Sequence, residues 1–221
     1  MRRLVRISAW TMIWSGSIIL GYVAFQLYGT DVINQQVQNE ARAELPEILE
    51  ERSLEVEQPP DTVAPDEPDP EPLLVAEPPV DPGAAFAAIR IPSIEVEQVV
   101  YEGVDRDTLQ LGPGHIPGTA LPGQPGNAVL SGHRTTYGRP FFDLDQLEPG
   151  DVIEVESAIG VSEYTVRESQ IVTPYDVWVA APRDGGWLTL TTCNPKFSAR
   201  ERLVVFAELT DGPNFEFVEA A

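Results

Sequence analysis

Apolar and polar positions divide the 221-residue chain into an uncharged run from Ile7 to Tyr28, a polar and proline-rich stretch, and a series of short alternating segments beginning near Phe86. The first run, ISAWTMIWSGSIILGYVAFQLY, predicts a helix of about 33 Å at 1.5 Å per residue, close to the ~30 Å hydrocarbon core of a bilayer. Arg2, Arg3 and Arg6 precede it and acidic residues follow. The positive-inside rule therefore places the N-terminus in the cytoplasm and everything downstream outside. A cleaved signal peptide has a shorter apolar core ending in a small-residue cleavage site, and Ala24 to Tyr28 lacks an A-x-A pattern. The predicted element is an uncleaved signal anchor over 7–28, with 1–6 as a cytoplasmic tail.

Residues 29–85 read as an extracytoplasmic linker. From Thr30 to Leu54, Val32, Ile33, Val37, Ala41, Leu45, Ile48 and Leu49 recur at loosely helical spacing, which predicts a short amphipathic helix near the membrane. From Glu55 to Gly83, repeated prolines and carboxylates forbid a core and favour extended, self-repelling chain. This disordered acidic Pro-rich spacer is expected to hold the following domain tens of ångströms off the membrane.

From Phe86 the pattern changes to period two. Ile89, Ile91, Ile94, Val96 and Val99 alternate with polar residues, and Pro92 breaks the run into two strands. Ala128–Ser131, Val152–Glu156, Ser162–Glu168, Ile171–Val179, Trp187–Thr192 and Leu203–Ala207 follow, separated by glycine- and proline-rich turns. Short strands at about ten-residue intervals, with one or two brief helical stretches, predict an all-β, closed or nearly closed barrel over 86–213 and a short tail over 214–221.

Composition narrows the function. With 35 acidic against 14 basic side chains the formal net charge is −21, which makes nucleic acid an improbable partner. A single cysteine, Cys193, excludes an intramolecular disulfide, and no Cys/His cluster suggests a metal or cofactor. Asp143 and Asp145 are a pair of carboxylates without further oxygen ligands around them, so no metal requirement is expected.

A thiol reacts as thiolate, and a nearby imidazole or guanidinium is what activates it. His133 follows the apolar run Ala128–Leu130 at a strand end like that of Cys193, whereas His115 lies inside a Gly/Pro loop, where a backbone hydrogen bond is the commoner role. Arg200 and Arg202 both precede the last strand, and spacing alone does not choose between them. Ser131, Thr135, Thr136 and Tyr137 surround His133, either shaping a groove or fixing a tight turn through side-chain to backbone hydrogen bonds. Trp178 and Trp187 read either as groove walls or as core.

The segments NAVLSGHRTTYGRPFFDLDQLEPGD and LTLTTCNPKFSARERLVVFAEL resemble the signature pair of the sortases, membrane-anchored cysteine transpeptidases of mainly Gram-positive bacteria. Thr189-Leu-Thr-Thr-Cys193 matches the family's TLxTC motif, and Arg202 opens the last core strand as the family's catalytic arginine does. The glycine-rich loops are most similar to class E, with classes D and C as alternatives. The resemblance implies an eight-stranded barrel and a catalytic set of Cys193, His133 and Arg202. Thr192 would complete the oxyanion site, and Ser131 and Thr135 would line the substrate groove. It further implies cleavage of an LPxTG- or LAxTG-like signal on secreted proteins, between threonine and glycine, through a thioester. The acceptor would be an amine of a lipid II-type cell-wall precursor, or a pilin lysine if the chain assembles pili. A noncatalytic membrane-tethered binding domain, with Cys193 serving only as packing, is the rival from another class.

Overall fold

The computed structural model describes residues 2–56 and 73–220. Most of the expected spacer therefore lies outside the described residues. Helix α1 (Arg2–Ala24) passes through one π-helical turn, Phe25–Gly29, into α2 (Thr30–Ser53). Among the described residues, Arg6–Ala24 is the stretch long and apolar enough to cross a membrane, and none of its residues is buried against the rest of the protein.

The strands are β1 (Ala85–Ile91), β2 (Val96–Glu102), β3 (Gly114–His115), β4 (Gly126–Ser131), β5 (Val152–Ser157), β6 (Gly160–Val172), β7 (Gly186–Asn194) and β8 (Glu201–Asp211). They close into a barrel in the order β1-β2-β3-β4-β7-β8-β6-β5. Two short helices accompany them, α3 (Arg106–Leu111) and α4 (Phe215–Ala220). The β2/β3 and β4/β7 pairs are parallel and the others antiparallel. Inward-facing residues, among them Phe86, Ile89, Leu130, Ile153, Tyr164, Leu188, Leu190 and Val205, fill the interior. The predicted strand Ile171–Val179 differs. Strand β6 stops at Val172, and after Pro174 the chain makes a 3-10 turn over Val177–Ala180, because Pro174 cannot donate to a ladder. Asp176 also turns the chain back, accepting from the Thr173 N–H (2.6 Å) and hydroxyl (2.7 Å).

Helix α2 occupies nearly the whole expected stretch, Thr30 to Leu54, and lies on the barrel. Ala41, Leu45 and Leu49 pack on Ala88, Val99, Tyr101 and Leu111, but Val32 and Ile33 from the apolar pattern are exposed. The docking face is completed by polar residues: Thr30, Asp31, Asn34 and Gln38 are all buried. Strand β3 is only two residues long, so part of the β2 edge has no strand beside it. Gln38 serves as its partner, accepting from the Val99 N–H (2.7 Å) and donating to Val99 O (3.3 Å) and Leu111 O (2.8 Å).

The C-terminal end of α2 is fixed as well. Arg52 donates to Glu77 (3.1 Å) and to the carbonyls of Pro78 (2.8 Å) and Pro79 (3.0 Å), while Glu77 accepts from the Ser157 hydroxyl (2.8 Å). Val75 is bonded through both its N–H (2.7 Å) and its carbonyl (2.9 Å) to the side chain of Asn214. The residues flanking 57–72 on both sides are thus docked on the barrel. Helix α2 continues the apolar stretch through the π-helical turn and reaches the barrel directly, while most of the expected acidic spacer lies outside the described residues.

Candidate functional site

The register of β4, β7 and β8 brings the chemistry together. Leu188, Leu190 and Thr192 of β7 alternate with Thr189, Thr191 and Cys193, so if the leucines face the core, the cysteine faces outward. On β8 Leu203, Val205 and Ala207 are interior and Arg202 is exterior. Cys193 pairs directly with Arg202, and directly opposite residues share a face with Cβ atoms about 5 Å apart. On the other side, β4 runs parallel to β7 with Ser131 level with Thr191. The Gly132 N–H continues that ladder onto Thr191 O (3.1 Å). Strand β4 ends at Ser131; carried two residues further, that register would put His133 level with Cys193, in a row with Arg202 on the outer face. Cys193 and His133 are half-buried.

Two side chains pin the His133 loop to β7. The Thr192 hydroxyl, buried on the inner face, donates to Gly132 O (2.7 Å). Arg134, with 3% of its side chain exposed, donates through Nη1 to Cys193 O (3.2 Å) and Asn194 Oδ1 (2.6 Å), and through Nη2 pairs with Asp145 (2.8 Å). Asn194 in turn donates to Glu201 (2.9 Å), and Lys196 pairs with Asp143 (3.0 Å) and Asp145 (3.4 Å). Because Asp145 is 44% exposed and stays solvated when its partner is removed, Arg134→Ala is expected to cost about 2–3 kcal/mol, the worth of charged hydrogen bonds rather than of a fully buried ion pair. Urea unfolding measures it; a change under about 0.5 kcal/mol, within the range of ordinary surface substitutions, contradicts this reading.

Below that row the outer face is covered. Asn127 accepts from the Thr189 hydroxyl (2.7 Å) and donates to Val179 O and Ala181 O (3.0 Å each), fastening the segment after β6 across β4 and β7. Trp178 stacks on Phe206 with centroids 6.0 Å apart, and the Arg183 guanidinium lies 4.1 Å from that ring and 4.8 Å from Trp187. The two tryptophans thus lie outside the barrel. At the Arg202 end an open cleft of about 340 Å³ is lined by Ile171, Val172, Thr173, Asp176, Trp178 and Glu201.

Burial pushes the His133 imidazole below its ordinary pKa, since a desolvated ring disfavours its charged form. Its ring packs on Tyr137 at 5.0 Å between centroids. Burial alone would raise the Asp145 carboxyl, but the Arg134 hydrogen bond and charge outweigh it and the pKa is lowered.

The remaining candidates separate clearly. Arg200 is exposed and lies just before β8, which starts at Glu201, so the ladder that pairs Arg202 with Cys193 does not include it. Arg202 turns its Nη1 onto Ala199 O (3.1 Å) and Glu201 O (3.0 Å). Ser131 is on the outer face of β4, two residues before His133, and Thr135 two residues after it; both are half-buried. Neither they nor Thr136 fix the turn with a side-chain hydrogen bond. Backbone bonds do so, from Arg139 N–H to Thr136 O (3.1 Å) and Phe141 N–H to His133 O (3.2 Å). His115 is buried, bonded to Glu102 (2.6 Å), Thr119 (2.9 Å) and Ala120 O (2.9 Å). Asp143 and Asp145 are spent on cations, and among the described residues no group of three His, Cys, Asp or Glu side chains is placed to hold a metal. Sequence reasoning missed Arg134 and Asn127. Arg134 adjoins His133, but nothing in its sequence context marks it as buried.

Residues 89–210 match the model of the Sortase domain, and the chain belongs to the sortase family. It is 35% identical over 147 residues to sortase SrtE1 of Streptomyces coelicolor, covering 59% of this chain and 42% of that protein. To sortase D of Bacillus subtilis it is 29% identical over 185 residues, covering 83% and 86%. The crystal structure of sortase E1 from Streptomyces coelicolor with a tripeptide in the active site superposes with a TM-score of 0.56 at 31% identity, over 60% of this chain and 92% of that one. The matched part of this chain thus spans less than half the length of SrtE1.

Proposed function

We propose that this protein is a membrane-anchored transpeptidase that cleaves an LPxTG- or LAxTG-like sorting signal between threonine and glycine and transfers the new C-terminus to an amine of a cell-wall precursor. The row His133, Cys193, Arg202 carries this reading, with the thiol half-exposed on the outer face of the barrel rather than packed in its core. In the first half-reaction the Cys193 sulfur forms a bond to the threonine carbonyl carbon and its proton passes to His133. The tetrahedral intermediate collapses as the C–N bond breaks, and His133 returns the proton to the departing glycine amine. In the second half the acceptor amine attacks the thioester carbon, its proton goes to His133, and the thiol leaves reprotonated. Arg202, directly opposite Cys193, binds the substrate backbone and stabilises the oxyanion. Thr192 contributes through position, because its hydroxyl is already committed to Gly132. Ser131 and Thr135 flank His133 as walls of the groove.

The span Arg6–Ala24 would hold the enzyme in the plasma membrane with its barrel outside, where secreted substrates pass. Incubation of the protein with LPxTG and LAxTG peptides plus glycine, diaminopimelate-type or pilin-lysine amines, followed by mass spectrometry, tests the reaction, the signal and the acceptor. Ligated product supports a transpeptidase; hydrolysis without ligation to any of these amines contradicts it.

The state of His133 gives a pH prediction. The lowered pKa keeps the ring neutral at pH 7, ready to accept the thiol proton. Neutral imidazole is the active form, and a depressed pKa preserves it to lower pH, so the acid limb of kcat/KM is expected below about 6.5, the free histidine value. An acid limb above that value would mean that the ring starts the reaction protonated.

A further inference from the structure

The loop that follows His133 is held in an unfavourable conformation. Tyr137, Gly138 and Arg139 have φ of +52°, +75° and +50°. Left-handed backbone costs a residue with a Cβ about 1 kcal/mol or more, and runs of it persist only where the surroundings enforce them. The partners that enforce this run come from the first turn of α2, more than a hundred residues earlier. The Thr30 hydroxyl accepts from the Tyr137 N–H (3.3 Å), Asp31 Oδ1 accepts from the Gly138 N–H (3.1 Å), and Asp31 Oδ2 pairs with Arg139 Nε (2.8 Å). Successive N–H groups in such a turn form a concavity suited to an anionic oxygen, and the buried Asp31 carboxylate fills it. Any side chain at Gly138 would collide with Asn34 of the same helix. Asn34 itself donates to Gln110 O and Leu111 O (2.9 Å each), so the helix turn has its own hold on the barrel. Tyr137, the first residue of the left-handed run, is the ring packed on His133.

We infer that Asp31 is a positioning residue for His133: the membrane-proximal helix α2, through Asp31 and the Tyr137–Arg139 turn, sets the placement of the imidazole, so that α2 is a working part of the site. The inference rests on the reading of His133 as the proton carrier, and it assigns a role to residues outside the matched Sortase domain, 89–210. The titratable group packed on the ring is Tyr137; of the charged groups on the elements beside it, Arg134 is paired with Asp145, Arg139 with Asp31 of α2, and Arg202 rests on Ala199 O and Glu201 O, opposite Cys193. Releasing the turn frees Tyr137 and admits water to the imidazole.

The full chain in detergent micelles, assayed with a sorting-signal peptide and an amine acceptor, tests this through Asp31→Ala. The expected result is a fall in kcat of about tenfold or more, short of the ~10² that an ångström of misplacement produces. KM should stay within about twofold, and the acid limb should shift upward toward 6.5 as the ring is hydrated. Val32→Ala, on the exposed side of the same helix turn, should leave kcat unchanged. If Asp31→Ala does not fold, Arg139→Ala removes the ion pair alone and should lower kcat by a smaller factor, about threefold, with the same upward shift. A kcat and acid limb equal to those of Val32→Ala overturn the inference, as does a loss confined to KM. Activity surviving in His133→Ala would instead overturn the proposed mechanism and so marks a separate failure.

Discussion

Cys193→Ala lowers both peptide cleavage and transfer by on the order of 10⁴-fold or more, as loss of a covalent nucleophile does, while the barrel keeps its thermal midpoint. The stability expectation follows from placement: Cys193 is half-buried on the outer face, and its neighbours are tied by its backbone carbonyl to Arg134 and by Asn194 to Glu201, none of which needs the sulfur. His133→Ala lowers the rate by about 10²–10⁴, the usual worth of a general acid and base. Both variants are read by steady-state turnover and a thermal melt. Retention of more than a few per cent of activity in Cys193→Ala would contradict Cys193 as the nucleophile, whereas the noncatalytic reading requires that the unaltered protein show no turnover at all.

The second large effect separates two arginines that lie two residues apart. Arg202→Ala costs about 10²–10³ in kcat, the typical loss for one oxyanion donor, and Arg200→Ala costs less than about twofold. Arg202 is fixed opposite Cys193 by the β7/β8 ladder, whereas Arg200 is exposed on the connection before β8. In the structure the Arg202 head rests on carbonyls of its own loop, Ala199 and Glu201. Substrate binding therefore has to draw it toward the thiol, and the loss is expected in kcat more than in KM. Equal losses at the two positions would contradict the assignment.

Much of this was legible in the sequence because barrel strands announce themselves by alternation. Ile89 and Ile91, Leu188 and Leu190, Val205 and Ala207 each mark one inner face, and once that face is known Cys193 and Arg202 must lie on the other. The apolar helix was legible from a different signal, an unbroken uncharged run from Ile7 to Tyr28. What hydropathy could not reveal was the docking of α2, because half of its contact face is Thr30, Asp31, Asn34 and Gln38, polar residues bonded to backbone edges and turns. The exposed Val32 and Ile33 pointed to a different face of the same helix. Arg134 was hidden likewise: a charge 3% exposed leaves no trace in a polarity pattern, and it is the carbonyls of Cys193 and Phe142 and the side chains of Asn194 and Asp145 that explain it. The choice between Arg200 and Arg202 needed the point at which β8 starts, and strand ends are the least legible feature of a periodic pattern.

The consequence for mechanism is that the barrel, its His133 loop and the continuous N-terminal helix are one connected unit. A carboxylate three residues beyond the expected end of the span, Asp31, reaches the turn whose tyrosine contacts the imidazole.

The central claim is that Cys193 carries the acyl group. Intact-mass measurement of the full chain mixed with a sorting-signal peptide, without any amine, tests it most directly. The account predicts an added mass equal to the peptide's N-terminal fragment through threonine, located on Cys193, lost on addition of amine and absent in Cys193→Ala. Turnover of the peptide with no such adduct, or an adduct that persists in Cys193→Ala, would contradict it.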